Sequence, residues 1–385
     1  MKISLITIGR FHHFNLARQL HKHHVLNEIF SGFPKLKLRN ETKIPKEKIK
    51  TFPYFQLPSM IFDTYLGKIF PQINDQLSNL SHRTLSLKAS QRISESNILI
   101  ASSRSGLEAG NKIKKNGGIF VCDRGSTHIE FQNEILKDEY KNLKLPYHHI
   151  SNESIHRECE EYSLSDFIAV PSTCVLNSFL KKGINKNKLF LNPYGVNLET
   201  FSPQPKIKSE DFIVIYVGQL SVRKGIFYLL EAFKKLKIQK KKLILIGSID
   251  YQIKNKVEKY FSDEIKYMSI IKNDKLKNYY ANSDVMVQPS IEEGLSLVIA
   301  EALACGCPVI ATENTGASDL FTNNKEGFII KPQSSKSITE KLEFFLDNKI
   351  KRNEMSNNAL SLVRQIGGWD AYGDRWMKKI NSLKK

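Results

Sequence analysis

The stretch Pro289–Ile310, PSIEEGLSLVIAEALACGCPVI, decides the fold. Pro289-Ser290 closes an apolar strand, Glu293-Gly294 makes a turn, and LSLVIAEALACG carries apolar residues at helical spacing until Pro308 stops the helix and a new apolar strand begins. Strand, acidic loop, buried helix and strand in that order form one unit of a parallel α/β sheet. Glu301 follows Glu293 by a little over two helical turns, so both carboxylates can approach one cleft if the helix N-terminus points into it. A carboxylate inside an apolar segment needs a partner. Glu301 therefore faces a ligand, caps a neighbouring element or pairs with a lysine.

Outward from this stretch, 385 residues with 41% hydrophobic content exceed one comfortable α/β core and suffice for two domains. Five cysteines, at 122, 159, 174, 305 and 307, have no paired ligand spacing, which fits a reducing cytoplasm. The opening MKISLITIG reaches Gly9 and Arg10 too soon for a signal peptide, and no run attains 18 uncharged apolar residues. The expected location is cytoplasmic, with peripheral contact to the inner face of the cytoplasmic membrane as a further option. Fifty-eight basic against 39 acidic residues give a formal charge of +19. Seven of the basic residues crowd Pro34–Lys50: Lys35, Lys37, Arg39, Lys43, Lys46, Lys48 and Lys50. Such a segment suits an anionic membrane surface, nucleic acid or an anionic substrate, and a lysine-biased composition accounts for it equally. Nucleic acid fits worst, for no zinc finger, helix-turn-helix or RNA-binding aromatic signature surrounds it.

In chain order, a strand over 2–8 leads through Gly9-Arg10-Phe11-His12-His13 into a helix over 14–24. His12 and His13 are candidates for contacts across a cleft, or plain loop residues. After the basic segment, Met60, Ile61, Phe62, Tyr65, Leu66, Ile69 and Phe70 make an amphipathic run broken at Pro71, suited to covering a core or to lying in a membrane surface. Strands follow at 97–101 and 118–122, the second delivering Asp123-Arg124-Gly125-Ser126-Thr127-His128 to a strand's carboxyl end, where open α/β sheets bind ligands. A structural turn with Asp123 paired to Arg124 is the alternative. Helices at 130–142 and 153–162, a strand at 167–170 and a further apolar piece at 190–194 complete the first half, and the Pro203–Asp211 segment, which includes Lys208, reads as a linker. Strands at 212–217, 242–246, 265–270, 285–288, 309–311 and 327–330 alternate with helices in a second doubly wound domain. The spans are 1–203, 204–365 and a tail at 366–385, where Trp369, Tyr372 and Trp376 share one face of a helix that docks in a groove.

Within the second domain, Gly218 and Gly225 bracket a loop holding Arg223 and Lys224 between a strand and a helix. Two adjacent cations suit a diphosphate, the arginine through its fork and the lysine as a point charge, although a cation pair is also common on any surface loop. Gly294, Leu295, Ser296 and Leu297 bring backbone donors to a helix N-terminus in the same sheet, a second diphosphate-directed feature.

These segments, GQLSVRKG at 218–225 and PSxxEGxxxxxxEAxAxGxPVI at 289–310, resemble the signatures of retaining GT-B glycosyltransferases of family 4, and NxYGVNxxxFxP at 192–203 resembles the lead into their linker. The resemblance implies two Rossmann-like domains facing across a cleft, with the C-terminal helix crossing back to the N-terminal domain. It implies that Arg223 and Lys224 neutralise the departing diphosphate, that Glu301 binds the ribose, that Glu293 lies at the donor sugar, and that Gly218 and the backbone of Gly294–Leu297 contact the donor. His128 is similar to the N-domain histidine that touches the donor sugar, within an unusual DRGST context. The implied donor is a UDP- or GDP-linked sugar, used with no cofactor and no metal, and the implied acceptor is a saccharide or lipid-linked hydroxyl. GRFHHF departs from the usual glycine pair of the first loop. A non-hydrolysing nucleotide-sugar epimerase, a starch- or glycogen-type synthase and a noncatalytic GT-B partner protein are the alternatives.

Overall fold

The computed structural model of the chain describes residues 1–65, 71–147, 149–207 and 209–383. Leu66, Ile69 and Phe70 of the amphipathic run and Lys208 of the linker segment lie outside the described residues. Two parallel sheets organise the chain. The first contains β1 (Ile3–Thr7), β2 (Leu26–Ser31), β3 (Ile49–Thr51), β4 (Ile98–Ser102), β5 (Ile119–Asp123), β6 (Phe167–Val170) and β7 (Leu189–Leu191), ordered β3-β2-β1-β4-β5-β6-β7. The second contains β8 (Phe212–Val217), β9 (Lys241–Ile246), β10 (Ile265–Met268), β11 (Val285–Gln288), β12 (Val309–Thr312) and β13 (Gly327–Ile330), ordered β10-β9-β8-β11-β12-β13. Each order reverses once, between β1 and β4 and between β8 and β11, and these switch points open crevices at the strands' carboxyl ends.

The strands are buried runs, as a sheet covered by helices on both faces requires: β1, β4, β11 and β12 are buried throughout. β2 departs from the sequence reading, which leaves it unassigned. Asn27 and Glu28 interrupt its apolar pattern, and the Glu28 carboxylate is matched by Lys50 of the adjacent strand β3 at 3.2 Å. Pro71 is the first described residue of the helix Pro71–Ser90. Asp123 is the last residue of β5 rather than a loop residue, in register with Ser102 of β4 and Ala169 of β6. That fixes its backbone on both sides. No helix among the described residues is long and apolar enough to cross a membrane.

The tail helix Trp369–Ser382 crosses back to the first domain and packs on the helix His12–Lys22. Gln19 Nε2 donates to Asp370 Oδ1 at 2.8 Å, and Arg375 donates from Nε to Asn192 Oδ1 at 2.7 Å and from Nη2 to the Pro193 carbonyl at 2.5 Å. Trp376 lies edge-on to Phe190 with ring centroids 5.0 Å apart, and both Tyr372 and Trp376 are buried. The backbones meet closely where Val196 bridges Gly368, and a Cβ on Gly195 would stand 2.5 Å from the Gly368 carbonyl. Only glycine fits there. Trp376→Ala leaves a cavity at this junction and is expected to lower unfolding stability by about 3–5 kcal/mol, measured by urea denaturation.

Candidate functional site

A cleft of about 1940 Å³ runs along the carboxyl ends of both sheets. Its N-domain wall includes Arg10, His12, His13, Asp123, Arg124, Gly125 and Ser126, and its opposite wall includes Asp250, Leu297 and Glu301. Glu301 sits mid-helix in Leu297–Ala304, aimed at the cleft, and accepts a hydrogen bond from Tyr280 Oη at 3.1 Å. Burial pushes its carboxyl up to about 7, against the smaller opposing effect of Tyr280. Among the described residues it neither caps an element nor pairs with a lysine.

Arg223 and Lys224 are held behind this wall by backbone and carboxylate contacts. The Arg223 carbonyl accepts the N–H groups of Ile291 at 2.9 Å and Glu292 at 3.3 Å, which ties the loop after β8 to the loop after β11. Gly225 adopts φ +66° as the N-cap of helix Ile226–Lys235, where a Cβ would strike the Pro289 carbonyl. Gly218, at φ +147°, turns the chain out of β8. Lys224 Nζ pairs with Glu293 Oε2, and Arg223 Nη1 lies 3.8 Å from Glu293 Oε1. Burial first, then the Arg223 charge, push the Lys224 ammonium well below its ordinary range, and Glu292 opposes them. Glu293 is therefore turned to the cations and is not on the cleft wall beside Glu301.

Glu292 is the residue that sequence reasoning passed over. Its side chain is fully buried and accepts from Ser126 Oγ at 2.7 Å, Thr127 N at 3.1 Å, Thr127 Oγ1 at 2.7 Å, Gln132 Nε2 at 2.9 Å and Arg223 Nη1 at 3.2 Å. Donors from both domains converge on one carboxylate. Burial would raise its pKa, but Arg223 and the Thr127 and Ser126 bonds prevail and hold it at about 2. Gly294 follows at the seam, its carbonyl accepting from Ser172 Oγ at 2.6 Å and its Cα against the Gly125 carbonyl, where a Cβ would collide. Leu295 is buried against Gly316, and the Ser296 N–H already donates to the Thr315 carbonyl at 3.0 Å. Of the Gly294–Leu297 group only Leu297 reaches the cleft wall, and the Ser296 amide is not spare for phosphate.

His128 is placed away from the cleft wall. It caps the helix Ile129–Asn142, with Nδ1 accepting from Glu130 N at 3.3 Å, and its ring packs edge-on to Phe179 and tilted against Tyr162, each at 5.0 Å. Burial, with Arg124 and Lys182 nearby, lowers it to about 4, so the ring is neutral. Imidazoles that do line the cleft include His12, whose Nε2 lies 2.8 Å from Asp123 Oδ2, and His13, whose Nε2 lies 3.3 Å from the same oxygen. Asp123 does not pair with Arg124, which instead meets Glu158 at 3.0 Å. Potential metal-ligand atoms come within 4.8 Å of one another in two groups among the described residues, His12–His13–Asp123 and His128–Glu130–Cys159. In the first, His12 and Asp123 are spent on each other, and in the second His128 Nδ1 is spent on the helix cap; neither carries a metal assignment.

Residues 198–361, which include Arg223, Lys224, Glu293 and Glu301, match the family model described as glycosyl transferases group 1. The chain is 23% identical over 235 residues to the phosphatidylinositol N-acetylglucosaminyltransferase gpi3 subunit of Schizosaccharomyces pombe, covering 58% of this chain and 50% of that protein. It is 32% identical over 169 residues to the capsular polysaccharide biosynthesis glycosyltransferase CapM of Staphylococcus aureus, covering 41% and 43%. The chain thus spans about half the length of these curated relatives. The structure of Anabaena HepE in complex with UDP superimposes with a TM-score of 0.70 at 16% identity, over 99% of this chain and 100% of that one. The two facing doubly wound sheets form a GT-B fold.

Because the Glu292 carboxyl is held below its ordinary value, its stabilising effect is present above pH 4.5 and lost as pH falls towards 2. Glu292→Gln is expected to cost about 2 kcal/mol at pH 7, towards the lower end for a broken buried pair since Arg223 stays about a third exposed. Denaturation at pH 7 and pH 3 checks both statements: the gap between wild type and variant shrinks at the lower pH.

Proposed function

We propose that the protein is a retaining, metal-independent glycosyltransferase of family 4. It moves a sugar from a UDP- or GDP-linked donor to a hydroxyl of a saccharide or lipid-linked acceptor in cell-surface polysaccharide or glycolipid synthesis. The observation that carries this reading is the pairing of Arg223 and Lys224 with Glu293 between the loops that follow β8 and β11, with Glu301 separately on the cleft wall. The group 1 match covers all four residues, and the relatives named above are themselves sugar transferases. HepE supports a uridine nucleotide as the donor's leaving part.

In this reading Arg223 and Lys224 take up the charge that develops on the leaving diphosphate, Glu301 receives the ribose hydroxyls, and Glu293, exchanged off Lys224 by the diphosphate, turns to the sugar. Gly218 gives the ligand close access to backbone, with Leu297 on the adjoining wall, while Gly294, Leu295 and Ser296 hold the seam behind it. His128 serves from behind the wall, by holding the Ser126–Glu130 turn. Stabilisation that grows only as the bond to phosphate breaks is what accelerates the step. Converting Arg223 and Lys224 together to alanine is expected to lower kcat/KM by roughly 100-fold or more, corresponding to ~3 kcal/mol of lost stabilisation. Release of nucleoside diphosphate from a panel of nucleotide sugars measures it, and near-normal transfer by the double variant rules the assignment out.

A lipid-linked acceptor calls for a membrane-facing surface. Leu36, Tyr54, Leu57 and Ile61 are exposed beside exposed Lys35, Lys37, Arg39, Lys43 and Lys46, and Lys37 Nζ reaches the Met60 sulfur of the neighbouring helix at 4.0 Å. Apolar side chains rimmed by cations suit an anionic bilayer at the cytoplasmic face. Sedimentation with vesicles is expected to give stronger binding to anionic than to neutral lipid, weakened by added salt; equal binding to both refutes the membrane contact.

A further inference from the structure

We propose that Arg104 binds an acidic group of the acceptor, so that the acceptor saccharide carries a carboxylate or a phosphate. The inference rests on the glycosyl-transfer reading above and adds to it the chemical class of the acceptor.

Arg104 follows β4 at the carboxyl end of the first sheet, beside the β1–β4 switch point, and lines the cleft. Its φ is +69°, in the left-handed region that long side chains rarely adopt. The Arg104 N–H donates to Glu161 Oε2 at 2.7 Å, and the Arg104 carbonyl accepts from Arg157 Nε at 2.7 Å. Two buried side chains thus fix the turn from both sides, and with it the direction in which Arg104 leaves the backbone.

The guanidinium is left short of partners. Nη2 donates to Asn79 Oδ1, the buried Nε has no hydrogen-bond partner, and Nη1 has none among the described residues. An arginine stays charged in a protein, and a buried donor on a charged group is costly to leave unmet. Neighbouring arginines are served differently: Arg124 has Glu158 at 3.0 Å and Arg157 has Glu108 at 2.6 Å. Among the described residues no carboxylate forms an ion pair with Arg104. Glu161 does not make up the deficit, since burial, against Arg157 and its backbone bonds, pushes its carboxyl up to about 8.

The wall beside Arg104 is suited to a sugar. The helix Pro71–Ser90 brings Gln72, Asp75, Gln76 and Asn79 to the cleft, positions three and four apart that share one helical face. Asn79 is spent on positioning: its Oδ1 also accepts from Ser154 Oγ at 2.9 Å, and its Nδ2 donates to Glu153 Oε2 at 3.0 Å. Gln72 and Gln76 offer amide donors and acceptors together, as sugar hydroxyls require. Burial lowers the Arg104 guanidinium from its ordinary value, opposed by Glu158 and then by Asp75, so Asp75 is near it without pairing and is left for a hydroxyl. An acid suits Arg104 better than a hydroxyl does, because the planar fork meets two oxygens at once through charge-assisted bonds. Arg104 belongs to the first sheet and Arg223-Lys224 to the second, so acceptor acid and donor diphosphate are held by separate walls.

The test uses the full chain and reads binding and transfer separately. Isothermal titration calorimetry compares methyl glucuronide, glucose 1-phosphate and the neutral methyl glucoside. One of the two acids is expected to bind roughly 10- to 100-fold more tightly than methyl glucoside, and which one it is identifies the group as carboxylate or phosphate. Arg104→Asn removes the cation with a residue that tolerates positive φ, and is expected to erase that difference while methyl glucoside binding stays the same. Arg104→Lys keeps a point charge without the fork and is expected to fall in between. Lys224→Gln is expected to keep the acid preference, which separates this site from the donor's. Equal binding of the three sugars by wild type, or an acid preference that survives Arg104→Asn, overturns the proposal. Nucleoside diphosphate release from a panel of UDP- and GDP-linked sugars tests the underlying reading by itself. Transfer without acid preference overturns the Arg104 assignment alone, whereas no transfer from any donor overturns the transferase reading and the acceptor role with it.

Discussion

One buried carboxylate sets the geometry of the site. Glu292 lies in a loop of the C-terminal sheet but is solvated by Ser126, Thr127 and Gln132 of the other domain together with Arg223 of its own. An ion removed from water is tolerable only when its lone pairs are filled, and here they are filled from both sides of the seam. The two loops cannot slide without breaking several charge-assisted bonds at once. The close approach of Gly125 to Gly294 and the tie from the Arg223 carbonyl to Ile291 follow from that constraint, and each needs the residue type found there.

The same constraint assigns the neighbouring charges. With Arg223 drawn to Glu292, Lys224 is left to Glu293, and the pair closes on itself behind the cleft. A carboxylate and a phosphate present similar oxygens to an ammonium, so a diphosphate brought to Lys224 competes directly with Glu293. Such an exchange would leave Lys224 paired throughout and change only its partner. Glu301 stands apart from this competition, bound to Tyr280 and open to the cleft.

Much of this is legible in the sequence, and the reasons it stops being legible are physical. Phe167–Val170, Phe212–Val217, Val285–Gln288 and Gly327–Ile330 can be read to the residue because a parallel strand buried on both faces leaves an uninterrupted apolar run. β2 cannot, since Asn27 and Glu28 break its run and Glu28 is balanced by Lys50, distant in sequence. The cations and the second glutamate of the acidic turn stand out by their motif. Glu292 does not, because two adjacent glutamates give no local sign of which one the other domain will solvate. The histidines make the same point: His128 is taken up by a helix N-terminus and His12 faces the cleft, a distinction set by backbone placement and not by residue type.

The surplus positive charge can be traced by elimination. Around the site most cations are matched: Arg124 with Glu158, Arg157 with Glu108, Arg10 and Arg18 with Glu41, Arg223 and Lys224 with the two glutamates of the turn, whereas Arg104 on the cleft wall binds the Asn79 amide. A net +19 therefore has to come largely from elsewhere, and the exposed lysines and arginine between 35 and 46 are one concentrated source. Fields from such exposed charges are screened over about 8 Å at physiological ionic strength, too short to steer a donor into the cleft from solution. They act on what touches them. Leu36, Tyr54 and Ile61 are exposed as well, and an extended anionic surface, unlike a small anion, would meet cations and apolar side chains together.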